Sequence, residues 1–367
     1  MPIHITKTKS IVVYGILTAV LHVYFVVQFP SFKSDFYRGM AAPGDFAQDY
    51  VGVRQLLAGQ SVYPVNFMEL YKDLFRESPK LITISLINNA HPPFVSIILS
   101  PLGFLGFKDA AAVWALLTMV FMLLIIFLLL KSENISLKYF PLVVLFTLAW
   151  QPFQSNLGLG QISILITLFV IVGWFFYKKE HEILSGVFIA LATMLKFYPG
   201  LLIVYFLINK RWKAFLASII SVSIIIVLTL IVTKYDFFYL IFNLLPQDIK
   251  NTQVSMFNFS INGFFSKLFL PTFAVMSPYN KEVFTITVNP MLKNLFLYTT
   301  IALFLFYTAL HIKQYNNDLG FSLFIILSLL LSPLCWDHSL TLLLLSFAIL
   351  VKELIRRNSK FEIMSFL

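Results

Sequence analysis

The sequence predicts an all-α polytopic membrane protein: about ten transmembrane helices, with two long loops on one side that carry interfacial helices. Three observations lead there. The 367 residues are 59% hydrophobic and only 12% charged, too few charges for the half-wet surface of a soluble domain. The apolar residues are gathered in runs close to the length that crosses a hydrocarbon core about 30 Å thick. Lys and Arg fall in short clusters beside those runs, as topology signals do. The net charge of +10 therefore reads as orientation and attraction to anionic lipid head groups, and no nucleic-acid partner is expected. Forty Phe and sixteen Tyr suit lipid-facing helices and an interfacial belt. One cysteine, Cys335, excludes an intrachain disulfide and any cysteine-based metal cluster.

Taken in order, the expected spans are 11–29, 109–130, 139–153, 160–177, 183–196, 198–209, 212–233, 292–312, 319–334 and 337–351. The first has no small-residue cleavage site and reads as an anchor. Spans 183–196 and 198–209 are short and meet at Phe197-Tyr198-Pro199, where a hairpin can turn. With Lys7 and Lys9 inside, every short basic loop also falls inside: Lys131/Lys138, Lys178/Lys179, Lys210/Arg211/Lys213, Lys313 and the tail from Lys352. That agreement requires residues 94–107 not to cross, so they are expected as an interfacial or re-entrant helix. Segments 30–108 and 234–291 then form the two outer loops. Their mixture of charge with Phe67, Tyr71, Phe75, Phe237, Phe257 and Phe264 fits amphipathic helices lying on the membrane. With no repeat and no soluble segment, residues 1–367 read as a single membrane domain.

This threading places the unusual polar residues on one face. Asp45 and Asp49 fall in the first outer loop with His91. Gln161 ends the outer turn "NLGLGQ", Lys196 ends a span in "ATMLKFYPG", Asn258 and Asn262 stand in "NFSING", and Trp336, Asp337 and His338 in "SPLCWDHSL". Ionisable groups at membrane depth are costly and usually line a pathway or a site. Each also has an ordinary reading. Asp45-x-x-Gln48 has the form of a capping box, with Asp45 as N-cap, and Asp49 suits a first-turn dipole partner on the same helix face. His91 before Pro-Pro suits a loop, Lys196 can snorkel to head groups, and Asp337-His338 can begin a helix.

There is no Asp-x-Asp pair, Walker-type loop, His-Glu-x-x-His or Gly-x-Ser-x-Gly elbow. What remains is an outward site with a carboxylate on a loop and cations at the membrane rim. A carboxylate can take a proton from an acceptor hydroxyl, and Lys with His can hold a leaving phosphate, which reaches them from the bilayer if it is carried on a lipid. A polytopic transporter of a small polar or lipid-linked substrate is the alternative. Transporters, however, tend to show paired repeats and midplane sites, and here the polar groups gather at one face.

The strings "GDFAQDYVGVRQLLAGQSVY", "HPPF", "GLGQISIL", "LKFYPGLL", "NFSINGFF" and "SPLCWDHSL", in this order, resemble glycosyltransferase family 87, GT-C-fold enzymes that use polyprenyl-phosphate sugars and include phosphatidylinositol-mannoside mannosyltransferases. The resemblance implies a GT-C-like fold with Asp45 as general base, Asp49 as second candidate, and Lys196 and His338 at the donor phosphate. His91, Gln161, Asn258, Asn262, Trp336 and Asp337 are expected to bind substrate. It further implies inverting, metal-independent transfer of a sugar, mannose by default, without a cofactor. The sugar passes from a polyprenyl-phosphate donor to a lipid or glycan acceptor in cell-envelope glycolipid synthesis. The expected setting is a bacterial inner membrane, with the site facing the periplasm and both termini cytoplasmic.

Overall fold

The computed structural model describes residues 7–41, 43–63, 91–270, 288–311 and 317–357, and the regular elements among them are all helical. The chain opens with α1 (Lys7–Ala41), 35 residues long. Its continuous apolar run ends near Phe29, yet the helix passes through Pro30 and continues. It does so because Phe32, Phe36 and Met40 recur at four-residue spacing and pack on the core. The expected span 11–29 is thus only part of this helix, and the segment assigned to a loop from residue 30 begins as helix. After α2 (Gly44–Leu57), residues 64–90, with Phe67, Tyr71 and Phe75, lie outside the described residues. Helix α3 (Pro93–Leu99) has seven residues and runs into a 3₁₀ turn ending at Phe104. At about 1.5 Å per residue it is too short to cross a bilayer core.

Helix α4 (Phe107–Ser132) covers the expected span 109–130. The expected span 139–153 is instead two helices, α5 (Phe140–Ala149) and α6 (Gln151–Leu159), with Trp150 extended between them just before Gln151-Pro152. Most of "NLGLGQ" is therefore helical, and the turn is confined to Gly160 and Gln161. Next come α7 (Ser163–Lys178), α8 (Glu182–Leu195), a 3₁₀ turn at Tyr198–Gly200, α9 (Leu201–Ile208) and α10 (Trp212–Thr233). The second loop holds α11 (Asp236–Tyr239), α12 (Leu245–Thr252) and α13 (Ile261–Phe269). Residues 271–287 lie outside the described residues. The chain then forms α14 (Pro290–His311), α15 (Asn317–Leu331), a 3₁₀ turn at Asp337–Leu342, and α16 (Leu343–Arg357).

Among the described residues, α4, α10 and α14 are long and apolar enough to cross a membrane. Helix α10 turns Leu216, Ile220, Val227, Leu228 and Ile231 outward, an exposed apolar band that suits lipid and not water. The shorter helices fill the centre, where Trp174, Tyr205, Phe206 and Phe321 are fully buried. Helix α8 packs between α7 and α10. Gly186 lies against the Ala214 carbonyl, which also accepts from Ser218 Oγ at 2.8 Å.

A charge network ties four helix ends together. The Glu133 carboxylate, wholly buried beyond α4, accepts from Trp174 Nε1 at 2.7 Å and from Lys352 Nζ at 2.7 Å. Lys178 and Lys352 both reach Asp318, at 2.8 and 3.0 Å. Two carboxylates and two ammonium groups thus balance where α4, α7, α15 and α16 meet. Only the Glu133 carboxylate is fully buried, and removing it leaves Trp174 Nε1 buried without its acceptor and two ammonium groups sharing Asp318 alone. Glu133→Ala is therefore expected to destabilise the fold by about 3 kcal/mol, read as a lower midpoint of thermal unfolding in detergent.

Candidate active site

One cavity of about 900 Å³ opens at the other ends of these helices. Its wall takes residues from α1, α2, the His91-Pro92 corner, the Gly160 turn, the break after α8, α12 and the 3₁₀ turn before α16. Helix α2 supplies Asp45. Phe46 stacks on Trp114 at 6.1 Å between ring centres, and the Tyr50 hydroxyl donates to the Leu105 carbonyl at 2.7 Å. These anchors press one face of α2 onto α4 and the 3₁₀ turn that follows α3, and turn Asp45 and Gln48 to the cavity. The N-cap is Pro43, whose carbonyl accepts from Ala47 N at 3.0 Å. Asp45 is therefore not the N-cap expected from its capping-box spacing. It stands at the second helical position, where its charge still meets the positive end of the helix dipole and its carboxylate is turned to a side chain elsewhere.

That side chain is Gln161. Its Nε2 donates to Asp45 Oδ2 at 2.7 Å, while Lys196 Nζ approaches its Oε1 at 3.4 Å, so one amide spans the acid and the cation. The Gly160 turn puts Gln161 there. Gly160 has φ +70°, its carbonyl accepts from Trp114 Nε1 at 2.8 Å, and a Cβ would meet Pro43 and Phe46 at 2.8 and 2.6 Å. Gly160→Ala combines left-handed strain with a clash against the start of α2. It is expected to cost about 1–2 kcal/mol of stability and, by moving Gln161 off Asp45, about 100-fold in kcat. Unfolding and turnover measured side by side check this.

Lys196 follows α8 in extended conformation, φ −151° and ψ 137°, so its side chain leaves the helix surface and enters the cavity. Its Nζ lies 3.3 Å from His338 Nε2. His338 is buried at the start of the 3₁₀ turn, with its backbone N–H donating to Asp337 Oδ1 at 2.8 Å, and Trp336 and Asp337 line the cavity beside it. Asp45, Gln161, Lys196 and His338, four groups distant in sequence, thus form one continuous contact chain.

His91 also lines the cavity, and its Nδ1 lies 2.9 Å from Asp49 Oδ1. Asp49 is wholly buried. It sits behind His91 and not on the cavity wall. Asp248, on α12, faces the same space. Burial pushes its carboxyl above the usual range, against the opposing pull of His91 and Lys196. Asn258 and Asn262 do something else. Asn258 accepts from Cys335 N and Ser260 N and donates to the Gln253 and Pro333 carbonyls, and Asn262 donates to Pro333. They stitch the second loop to the 332–336 turn, holding the wall without forming part of it. The sequence reading missed Asp35, Arg38 and Asp248. The first two lay beyond an apolar run taken to end at Phe29, and Asp248 stands in no motif. Among the described residues no group of three or more His, Cys, Asp or Glu is placed to hold a metal ion.

The family model of glycosyltransferase family 87 matches residues 89–333, about two thirds of the chain. The chain belongs to glycosyltransferase family 87. No curated protein and no solved structure matches it. Family 87 membership makes the protein a glycosyltransferase, with a donor and an acceptor to hold. The family 87 stretch contains His91, Gln161, Lys196, Asn258 and Asn262. Asp45 and Asp49 precede it and Trp336–His338 follow it. The fold closes these flanks onto the matched stretch at the cavity.

Proposed function

We propose that the protein is a GT-C-type membrane enzyme that moves a sugar, with inversion, from a polyprenyl-phosphate donor to a lipid or glycan hydroxyl at the outer membrane face. One observation carries this reading: a carboxylate and an ammonium–imidazole pair share a cavity and are joined by a single amide, Asp45–Gln161–Lys196–His338. With Oδ2 committed to Gln161, Asp45 takes the acceptor proton on Oδ1. The acceptor oxygen then attacks the anomeric carbon from the face opposite the phosphate. The bond from that carbon to the phosphate oxygen breaks, and its electron pair leaves with the polyprenyl phosphate. The Lys196 ammonium offsets the charge that gathers there, held toward the phosphate by His338 beside it. A β-linked sugar phosphate gives an α-glycoside, and the proton stays on Asp45. Phosphate leaves readily, so no second carboxyl is needed as an acid.

The placement of the charges supports an outward-facing site with cytoplasmic termini. The Glu133–Lys178–Asp318–Lys352 network and the cavity lie at opposite ends of α7, about 24 Å apart by helix rise. Lys178 and Lys352 belong to the set that the positive-inside rule assigns to the cytoplasm. Mannose is the first sugar to test, because the family 87 mannosyltransferases set that precedent.

The test uses purified protein in lipid, radiolabelled polyprenyl-phosphate mannose, glucose or arabinose, and a membrane glycolipid extract as acceptor. Label passing from the lipid donor to a new product, with release of polyprenyl phosphate, is the expected result. Movement of intact donor across the bilayer with no new glycoside, in folded protein, would support the transporter reading instead.

A further inference from the structure

The cavity holds more polar machinery than one proton transfer and one leaving phosphate require. Asp45 and Asp49 stand one turn apart on α2, about 6 Å between side-chain origins, roughly the breadth of a sugar ring. The second position does not present its carboxylate to the cavity. Asp49 is wholly buried and holds Nδ1 of His91 at 2.9 Å, and it is His91 that reaches the wall. With the Nδ1 proton directed at Asp49, Nε2 becomes the nitrogen that accepts from a ligand hydroxyl. His91 is braced as well, because Tyr63 donates its hydroxyl to the His91 carbonyl. The 61–63 segment is pinned in turn to Asp236 through Ser61 Oγ at 2.6 Å and Val62 N at 2.8 Å. A braced, carboxylate-backed imidazole is a built contact, with its geometry set before a ligand arrives.

We propose that the His91–Asp49 pair, together with Asp248 on the same cavity, forms the acceptor subsite, and that it takes a neutral polyhydroxylated group such as a sugar ring. The inference rests on the glycosyl-transfer reading and adds the class of acceptor to it. Charge distribution points the same way. Asp49 behind His91 and Asp248 on the same wall set two carboxylates around one imidazole, an arrangement that disfavours an anionic head group at His91. A second hydroxyl of the acceptor hydrogen-bonds His91 while the first lies at Asp45. An acceptor with only one hydroxyl leaves the His91 and Asp248 contacts unmade, and sites built around hydroxyls discriminate strongly against such analogues.

The experiment uses the full chain in lipid with whichever polyprenyl-phosphate sugar the wild type accepts, and offers octyl α-mannoside, dodecanol and phosphatidylglycerol as acceptors. Octyl mannoside is expected to be used at least about 100-fold better than the other two in kcat/KM. His91→Ala raises the KM for octyl mannoside about tenfold or more and leaves the donor KM within about twofold. Asp49→Asn raises the same KM but adds nothing in the His91→Ala background, because it acts through His91. Asp248→Asn, which disturbs no buried pair, narrows the discrimination against phosphatidylglycerol. An unchanged acceptor KM in His91→Ala, equal shifts in donor and acceptor KM, or efficient use of phosphatidylglycerol by the wild type would overturn the subsite while leaving glycosyl transfer standing. Folded wild type that transfers no sugar from any donor to any acceptor removes the transfer reading and the subsite with it.

Discussion

Asp45→Asn is expected to slow sugar transfer by about 10²- to 10⁴-fold, the usual weight of a positioned general base, while the protein unfolds at the wild-type temperature. The substitution is close to isosteric. Asn keeps an oxygen that can accept from Gln161 Nε2 as Asp45 Oδ2 does now, so the Gly160 turn and the start of α2 have no reason to move. What disappears is the ability to take up a proton. The loss belongs in kcat, with little change in donor KM, because the acceptor and not the donor meets this carboxylate. Full transfer by Asp45→Asn would move the base elsewhere on the cavity wall. Asp49 is not its natural successor, since it is wholly buried and committed to His91. Asp248 and His91 themselves face the cavity and become the residues to test.

How far the sequence could be read depended on what ends each element. Span 212–233 coincides with α10 and 109–130 lies within α4, because both runs are unbroken and are closed by charged or turn residues. Where the apolar pattern gave way to an amphipathic one, reading by hydropathy stopped too early. Helix α1 continues past Phe29 on the strength of Phe32, Phe36 and Met40, and this continuation carries Asp35 and Arg38 to the cavity wall. The same limit produced one span at 139–153 where two helices meet at Trp150, since a hydropathy window does not register the backbone break before Gln151-Pro152.

The site was legible to the extent that charge at membrane depth is costly. Asp45, His91, Gln161, Lys196, Trp336, Asp337 and His338, singled out for that reason or for their motifs, do line one cavity. Pairings within it were not legible. Nothing in the spacing of Asp49 and His91 along the chain shows that they touch, and nothing in "NFSING" separates an amide that binds substrate from one that binds the Pro333 carbonyl. Such assignments require the fold, because the deciding partner is a backbone atom or a residue many positions away.

Lys196→Met is expected to lower kcat by about 10²- to 10³-fold, the weight of a donor aimed at developing charge, and to leave the acceptor KM unchanged. Met fills nearly the same volume without the ammonium group, so the test removes charge and little else. His338 stands 3.3 Å from the Lys196 nitrogen and is proposed to serve the same phosphate. Lys196→Met combined with His338→Gln should therefore cost less than the product of the two single losses. Stability separates a catalytic ammonium from a structural one. A structural lysine is paired, as Lys178 and Lys352 are with Asp318 at 2.8 and 3.0 Å, and its removal lowers the unfolding temperature. Lys196 reaches Asp45 through Gln161 and faces an imidazole nitrogen, so a half-buried charge there burdens the fold, as the proposed catalytic role requires. Lys196→Met is accordingly expected to unfold at or above the wild-type temperature while losing nearly all turnover. A variant that unfolds earlier and keeps its kcat would instead make Lys196 a brace for the α8–α9 break and leave the donor phosphate without its proposed cation.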